Sequence, residues 1–401
     1  MRILIVTPFA DANGAEKMLW YVLKNADRQK FSFALYTYRK GNLLKDLPAD
    51  VPFLAFPAHK AGGGPATGTG RLLLKIRNKT LYYLTGRYPA GKTPVHPIEA
   101  LHREFKPDLW YINTLHMGPV AALAAKLNVP YVVHFHELLY LYSHSTYEHL
   151  QSTIRTARLL VGCAQCVCDK LAIMGGTRIA LQYECTEARA IAAKAGQPDR
   201  SGALRRQLGI APEAYVWVMP GAIDIRKGTD LVVEVARRLG DRVSILCLGN
   251  PQNGFGYYIE REIEYYGLRN VRITGFRTED YHEYLLMADG VLLASREDPF
   301  PLVMIEGAAA GKPIVAFNSG GVQEFVQPGM GIVVDSWRVE DLAAAMLQVM
   351  DGGVDINRDV LVARALEFDA AAQTRKWETM MLTHFGGASQ PAPALAVANE
   401  K

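Results

Sequence analysis

The sequence predicts an α/β protein with two doubly wound domains that face each other across a cleft. Short apolar segments alternate with amphipathic segments of about ten to fifteen residues, which is typical of βαβ units on a parallel sheet. This alternation occurs twice, and a polar, Ala/Gly-rich stretch from Glu187 to about Pro212 separates the two series. The length of 401 residues also suits two domains.

Composition and charge exclude several classes of protein. The chain is 49% hydrophobic and 21% charged, which excludes global disorder, and no apolar run approaches the ~18 residues of a spanning helix. The apolar start ends at Pro8, so we expect a buried strand there and no signal peptide. The net charge of +4 does not indicate a nucleic-acid partner. An odd number of cysteines, five, favours reduced thiols and a cytoplasmic location.

The first series of elements predicts a domain over residues 1–186. It begins with a strand, a glycine-containing loop and a helix, and the pattern weakens in a Gly/Pro-rich, basic stretch at 57–97. The apolar and amphipathic segments predict strands at 2–6, 31–37, 108–112, 131–135, 159–162 and 178–182, and helices at 16–27, 118–127, 147–157 and 167–174.

The second series predicts a domain over residues 187–368. Its segments predict strands at 216–220, 243–248, 271–274, 290–294, 313–316 and 331–333, and helices at 229–239, 256–266, 280–288, 302–310 and 339–350. We expect a last helix within 369–385 to pack back on the first domain and a disordered tail at 386–401. Ligands of such folds bind at the carboxyl ends of the strands, in the cleft.

The stretch after the predicted strand 290–294 carries the most chemical information. A loop with Asp298, Pro299 and Pro301 leads into a helix near Leu302, and the free N–H groups of a first helical turn bind anions. Glu306 lies one turn further on. Two carboxylates beside a phosphate site would repel phosphates unless they bind hydroxyl groups, so the pair predicts a ligand with phosphate and polyol parts. The alternative is an acidic surface loop and a helix carboxylate paired with Lys312.

A second motif follows the strand predicted at 216–220. Gly221 opens the loop, and Arg226 and Lys227 stand just before Gly228 and the next helix. Two adjacent cations at the carboxyl end of a strand can neutralise a diphosphate, since each charge-assisted hydrogen bond contributes ~1.5–3 kcal/mol. The alternative is a solvated Arg-Lys pair at a turn.

Two further loops lie where a cleft ligand would bind. Gly14 follows the first strand and lets the backbone approach a ligand, although a lone glycine is equally typical of a plain turn. The strand predicted at 131–135 ends in His134-Phe135-His136-Glu137, which is compatible with a metal site or with a histidine that lines a cleft.

The cysteines Cys163, Cys166 and Cys168 leave two readings open. Their spacing is compatible with a metal site, but they cross the end of a strand and the start of a helix within a regular βα unit. No second pair follows at zinc spacing, so we expect small buried thiols and no bound metal.

In this order along the chain, the motifs resemble the family-4 glycosyltransferases, retaining enzymes with the GT-B fold of two Rossmann-like domains. The resemblance covers most of the chain. It implies that Glu306 binds the ribose hydroxyls of a nucleotide sugar, and that Asp298 binds the donor sugar beside the amide groups of Phe300 and Leu302. It also places His136 against the donor sugar or phosphate.

The sequence departs from the family pattern at several positions. Aspartate stands at position 298 where the family has glutamate, and Ala222 replaces a usual arginine. Pro299 and Pro301 occupy usual glycine positions, so position 301 has no N–H to donate, and of a family Gly-Gly pair only Gly14 is present. We expect Arg226 to supply the missing charge. The resemblance then implies Lys227, Arg226, Asp298 and His136 as catalytic residues, and as donor-binding residues Glu306, Gly14, Gly221, Phe300, Leu302, Val303 and Arg277.

The segment Arg71–Lys92 mixes apolar residues with six cations and contains no acid. Such a segment suits an anionic membrane interface, and it is equally typical of a solvated helix face with one buried side. A lipid-linked acceptor, common in the family, favours the membrane interpretation.

The predicted function is that of a metal-independent retaining glycosyltransferase without a cofactor, which moves a hexose from a nucleotide diphosphate sugar to a saccharide or lipid-linked glycan in bacterial surface polysaccharide synthesis. An Asp-x-Asp motif would suggest that Mg²⁺ binds the diphosphate, and the chain contains no such motif. Two alternatives stay open at this point: a non-catalytic subunit that binds a glycan or nucleotide sugar, and a GT-B-shaped epimerase of the nucleotide sugar.

Overall fold

The computed structural model describes residues 1–11, 14–56, 96–196, 201–277 and 279–386. They form two parallel β-sheets, each with helices around it, so the predicted pair of Rossmann-like domains is confirmed. We call the part built on the first sheet the first lobe and the part built on the second sheet the second lobe. The basic segment Arg71–Lys92 and most of the predicted tail (387–401) lie outside the described residues.

The first lobe contains seven parallel strands in the order β3-β2-β1-β4-β5-β6-β7. The strands are β1 Arg2–Phe9, β2 Ser32–Arg39, β3 Phe53–Ala55, β4 Leu109–Asn113, β5 Tyr131–Phe135, β6 Leu159–Gly162 and β7 Ile179–Leu181. The helices described among them are α1 Gly14–Asn25, α2 Pro97–Phe105, α3 Gly118–Lys126, α4 Leu139–Tyr142, α5 Tyr147–Thr156 and α6 Gln165–Ile173.

The second lobe contains six parallel strands in the order β10-β9-β8-β11-β12-β13. The strands are β8 Tyr215–Pro220, β9 Val243–Leu248, β10 Val271–Ile273, β11 Gly290–Leu293, β12 Ile314–Phe317 and β13 Gly331–Val334. The remaining helices are α7 Ala188–Ala195, α8 Ser201–Gln207, α9 Thr229–Leu239, α10 Gly254–Tyr265, α11 Tyr281–Met287, α12 Leu302–Ala309, α13 Val322–Phe325, α14 Val339–Met350, α15 Arg358–Glu367 and α16 Ala370–Phe385.

The central strands are buried because parallel sheets are covered by helices on both faces. Every residue of β4, β5 and β6 is buried, and so is nearly all of β1. The last helix, α16, contributes Trp377 to the first lobe, where its ring lies 5.3 Å from Phe31 and 5.8 Å from Tyr111 between centroids. Aromatic packing of this kind fixes the chain end against the first sheet.

The sequence pattern missed several short elements. The stretch expected to interrupt the pattern between the two series contains α7 and α8, and α15 was also not predicted. Alanine-rich or charged segments carry little apolar periodicity, so they do not reveal short helices. α2 begins with a capping box between His96 and Glu99 and has Pro97 in its first turn, a start signal that the neighbouring basic stretch obscured.

The strand order of each sheet places one crevice at its carboxyl edge. In the first sheet the order reverses between β1 and β4, and in the second between β8 and β11. Ligands of open parallel sheets bind at the carboxyl ends of the strands that flank such a reversal. Within the described residues no helix combines the length and apolarity needed to cross a bilayer.

Candidate active site

Lys227 and Asp298 meet at the carboxyl ends of the two central strands of the second lobe. Lys227 follows β8 and Asp298 follows β11, and Lys227 Nζ lies 2.5 Å from Asp298 Oδ2. The side chains are 18% and 8% exposed, so this ion pair is largely shielded from solvent. The structure therefore brings together the cation and the carboxylate that the sequence placed 71 residues apart.

The two loops that carry this pair are held by close backbone contacts. Gly228 has φ +74°, and a Cβ at that position would lie 2.0 Å from the carbonyl oxygen of Ala294, so only glycine fits. Arg226 donates from a terminal guanidinium nitrogen to the carbonyl of Glu297 at 3.1 Å, and its own carbonyl accepts from the N–H of Arg296. Arg226 therefore joins the loops as well as adding charge.

Gly221 lies on the other side of Lys227. Its φ is +147°, in the region that favours glycine, and a Cβ there would contact the Lys227 side chain at 3.6 Å. Its N–H donates to the carbonyl of Leu248 at the end of β9. This glycine lets the aliphatic part of Lys227 pack directly on the loop.

Glu306 is buried in α12 and contacts both lobes. Its carboxylate accepts hydrogen bonds from Tyr281 and, at 3.3 Å, from the hydroxyl of Thr186. Lys17 of α1, in the first lobe, places Nζ 3.8 Å from the same carboxylate. Burial raises the pKa of Tyr281 well above its usual value, so this phenol stays protonated and donates to Glu306.

The start of α12 faces the first lobe. A Cβ on Gly14, the first residue of α1, would lie 3.8 Å from Leu302 Cδ1, so the predicted glycine loop and the predicted anion-binding helix start are close together. Leu302 and Val303 are partly buried. Phe300 packs its ring against Tyr183 and Phe368, so its side chain belongs to the core and only its backbone can serve a ligand.

Arg277 is held within its own loop after β10. Its guanidinium donates to the carbonyl of Thr274 at 2.6 Å and lies 3.3 Å from Asp280. The same group lies over the ring of Tyr284, 4.8 Å from its centroid. Its buried Nε has no partner among the described residues.

His136, directly after β5, is engaged on both ring nitrogens. Nε2 lies 2.9 Å from Asn113 Oδ1, and Nδ1 lies 2.5 Å from Glu184 Oε1. Asn113 donates its own amide to the carbonyl of Ala15, which leaves its oxygen to accept from Nε2. Nδ1 therefore shares a proton with Glu184. A ligand that contacts the ring must replace one of these partners.

His136, Asn113 and Glu184 form a cluster that we call the first-lobe cluster, and burial controls its charge. Burial lowers the pKa of His136 to about 3 and raises the pKa of Glu184 to about 7. Glu137, which accepts from the N–H groups of Leu115 and His136, has its pKa raised by burial to about 8. At neutral pH the imidazole is neutral, and Glu184, whose pKa lies near that pH, keeps the proton between them in part. This cluster therefore carries little charge, whereas the second-lobe site is an ion pair between Lys227 and Asp298.

Several residues at the site were not predicted from the sequence. Asn113 ends β4 and Glu184 follows β7, so both lie at carboxyl ends of strands. A polar residue at such a position is a sequence signal for a ligand-binding site. The contacts of Thr186, Tyr281 and Lys17 with Glu306 join residues distant in sequence, and no local pattern reveals them.

The family models match both lobes. A model described as "Glycosyl transferases group 1" matches residues 201–366, and one described as "Glycosyl transferase 4-like domain" matches residues 13–168. Together with the GT-B architecture, these matches show that the chain belongs to the family-4-like glycosyltransferases.

Curated relatives match over about half of the chain. A D-inositol 3-phosphate glycosyltransferase from Geodermatophilus obscurus is 30% identical over 217 residues, 51% of this chain and 46% of the relative. A glycogen synthase from Mycobacterium tuberculosis is 30% identical over 207 residues, 49% of this chain and 48% of the relative. The chain thus spans slightly less than half the length of these relatives.

Solved structures show the same fold over nearly the whole chain. The structure of Anabaena HepE in complex with UDP and glucose superposes with a TM-score of 0.74 at 20% identity, covering 96% of this chain and 100% of that one. At this identity the likeness establishes the fold alone.

Proposed function

We propose that the protein is a retaining glycosyltransferase that moves a hexose from a nucleotide diphosphate sugar to a saccharide or lipid-linked glycan, in bacterial surface polysaccharide synthesis. The observation that carries the proposal is the meeting of Lys227 and Asp298, 2.5 Å apart, at the switch point of the second sheet. Gly14 of the first lobe lies close to Leu302 at the start of α12.

Lys227 and Arg226 stabilise the leaving diphosphate in this proposal. Breaking the bond from the anomeric carbon to the phosphate oxygen builds negative charge on that phosphate, and a cation fixed in a shielded site stabilises the growing charge. In the structure, Lys227 Nζ donates to the Asp298 carboxylate. When the donor binds, Nζ turns to the diphosphate and the Asp298 carboxylate accepts from a sugar hydroxyl, so each charge keeps a partner.

Glu306 binds the ribose in this proposal. Its carboxylate is buried and accepts hydrogen bonds from the Tyr281 and Thr186 hydroxyl groups. Two ribose hydroxyls take the place of the 3.8 Å contact with Lys17 and of the 3.3 Å contact with Thr186. The stronger contact with Tyr281 stays and keeps the carboxylate aimed at the ribose.

The near-neutral first-lobe cluster suits the uncharged sugar. His136 donates through Nε2 to Asn113, and a sugar hydroxyl that replaces Asn113 receives the same hydrogen bond. Same-face attack by the acceptor accounts for retention: the acceptor oxygen forms the new bond, the phosphate leaves, and a phosphate oxygen takes the acceptor proton. Lobe closure excludes water that would hydrolyse the donor.

Binding to a panel of UDP-, GDP- and dTDP-sugars tests the proposal. A donor at 100 times its Kd adds ~2.7 kcal/mol to the free energy of unfolding, which raises the melting temperature. We expect one nucleotide to stabilise the wild type and to support transfer to a glycan acceptor. A protein that no nucleotide sugar stabilises contradicts the proposal.

Two other outcomes separate the alternatives. Conversion of the donor without any acceptor identifies an epimerase, and binding without turnover on any acceptor identifies a binding subunit. The departures from the family pattern at Ala222, Asp298 and Pro301 are the features that keep the binding subunit under test.

We also propose a cytoplasmic location with contact to the anionic face of a membrane through Arg71–Lys92. The support is the sequence of that segment, which has six cations and no acid. We expect the protein to sediment with vesicles rich in phosphatidylglycerol and not with phosphatidylcholine vesicles. Equal sedimentation with both contradicts this proposal.

A further inference from the structure

Three neighbouring strands of the first lobe end at residues that bind metals. His136 directly follows β5, Cys163 directly follows β6, and Glu184 lies three residues after β7, and these strands are adjacent in the sheet. Their parallel direction brings the three carboxyl ends to one edge. One ligand atom from each residue, an imidazole nitrogen, a thiol sulfur and a carboxylate oxygen, lies within 4.8 Å of the others.

The burial of this cluster points to a missing partner. Cys163 is 1% exposed and Glu184 is 4% exposed. Oε1 of Glu184 contacts His136, but Oε2 is buried and has no hydrogen-bond partner in the described part of the chain. A buried carboxylate oxygen without a partner is costly, and a metal ion is one way to satisfy it.

We propose that His136, Cys163 and Glu184 form a binding site for Zn²⁺ at the carboxyl ends of β5, β6 and β7. Imidazole, thiolate and carboxylate together are a donor set that Zn²⁺ takes readily, and three protein ligands leave a fourth position open. This site goes beyond glycosyl transfer, and its test does not depend on that activity.

The charges balance when Zn²⁺ binds. The ion displaces the thiol proton of Cys163 and the proton shared by Glu184 and His136, so two protons leave for one doubly charged ion. The thiolate and carboxylate then cancel the charge of the metal, and a neutral centre is compatible with a buried position.

The geometry needs only a small adjustment. Zn–N and Zn–S bonds of about 2.0–2.3 Å place ligand atoms about 3–4 Å apart. The cluster must therefore contract from a spread of up to 4.8 Å, while His136 Nδ1 and Glu184 Oε1, now 2.5 Å apart, must separate slightly.

Metal titration of the full-length protein without a polyhistidine tag tests the proposal. Zn²⁺ is titrated against a chromophoric chelator after treatment with EDTA, and Co²⁺ is used as a spectroscopic probe. We expect one equivalent of Zn²⁺ to bind, and Co²⁺ to give a thiolate-to-metal charge-transfer band. A wild-type protein that shows neither overturns the proposal.

Matched serine variants locate the site. C163S should weaken Zn²⁺ binding at least about 100-fold, because the thiolate is the softest of the three ligands. C166S, three residues away and outside the cluster, should bind as the wild type does. Equal binding by C163S overturns the proposal. If C163S fails to fold, the test rests on the charge-transfer band of Co²⁺. We expect this band in the wild type and in C166S, and its absence from both overturns the proposal.

Discussion

The two lobes approach the cleft with different chemistry. The second lobe presents full charges: Lys227 pairs with Asp298, and both lie in loops that glycines hold close together. The first lobe presents a buried, near-neutral cluster in which His136 shares a proton with Glu184. In the proposed function Lys227 binds the diphosphate, the carboxylates Asp298 and Glu306 accept from hydroxyl groups, and the neutral His136 donates to the sugar. The division of charge between the lobes therefore places the diphosphate on the second lobe.

The largest expected effect comes from removing the cation of the second lobe. We expect Lys227→Ala to lower the rate of transfer about 100- to 1000-fold, the magnitude typical of losing one group that stabilises the transition state. Initial rates with a saturating donor measure this. The control is Arg242→Ala, which removes an exposed ion pair with Asp351 in the same lobe and should leave the rate unchanged. Equal rates for wild type and Lys227→Ala would remove the lysine from the mechanism.

The glycine at the start of α9 tests whether the second-lobe loops are fixed by close contact. Gly228→Ala puts a Cβ 2.0 Å from a carbonyl oxygen at φ +74°, so we expect it to lower the free energy of unfolding by about 2–5 kcal/mol. Gly267→Ala, just after α10, has φ +62° and open space around it, and should cost about 1 kcal/mol.

Urea unfolding of both variants gives the comparison. Equal losses at the two positions would mean that the contact between Gly228 and Ala294 does not hold the loops together.

Glu306 tests the ribose contact. We expect Glu306→Gln to weaken donor binding about 10- to 100-fold, because hydrogen bonds to a charged group contribute ~1.5–3 kcal/mol and the amide keeps the shape of the side chain. Calorimetric titration with the donor measures the change. Glu340→Gln, on the surface of α14, is the control. If Glu306→Gln binds the donor as tightly as the wild type does, the Glu306 carboxylate does not bind the ribose. Its role would then be to hold the two lobes together.

The smallest effect concerns the neutral cluster of the first lobe. Burial raises the pKa of Glu184 to about 7, so the folded protein holds a proton that the unfolded chain releases near pH 4.5. The resulting stability is complete below pH 4.5 and is lost as the pH rises through 7. Between pH 6.5 and 8 we expect the wild type to lose about 1 kcal/mol more than Glu184→Gln.

Chemical unfolding of the EDTA-treated, metal-free protein at the two pH values measures this difference, because bound Zn²⁺ would keep Glu184 deprotonated, and Glu148→Gln is the exposed control. Parallel pH profiles for the wild type and Glu184→Gln would mean that Glu184 is ionised in the folded protein.

The sequence predicted the strands well and the cleft chemistry unevenly. β5, β6 and β9 have the predicted bounds, because buried parallel strands are short apolar runs with clear ends. Lys227 and Asp298 were detectable because each follows such a strand. Glu184 and Asn113 were missed, since their importance depends on contacts with His136 that cross between strands. β3 and α2 were missed beside a stretch without a regular pattern.

A crystal structure with the nucleotide sugar bound is the most direct test of the division of charge between the lobes. We expect the diphosphate within hydrogen-bond distance of Lys227 Nζ and the ribose hydroxyls on the Glu306 carboxylate. We also expect the ion pair between Lys227 and Asp298 to be broken. A nucleotide bound elsewhere, with Lys227 Nζ still 2.5 Å from Asp298, would contradict both expectations.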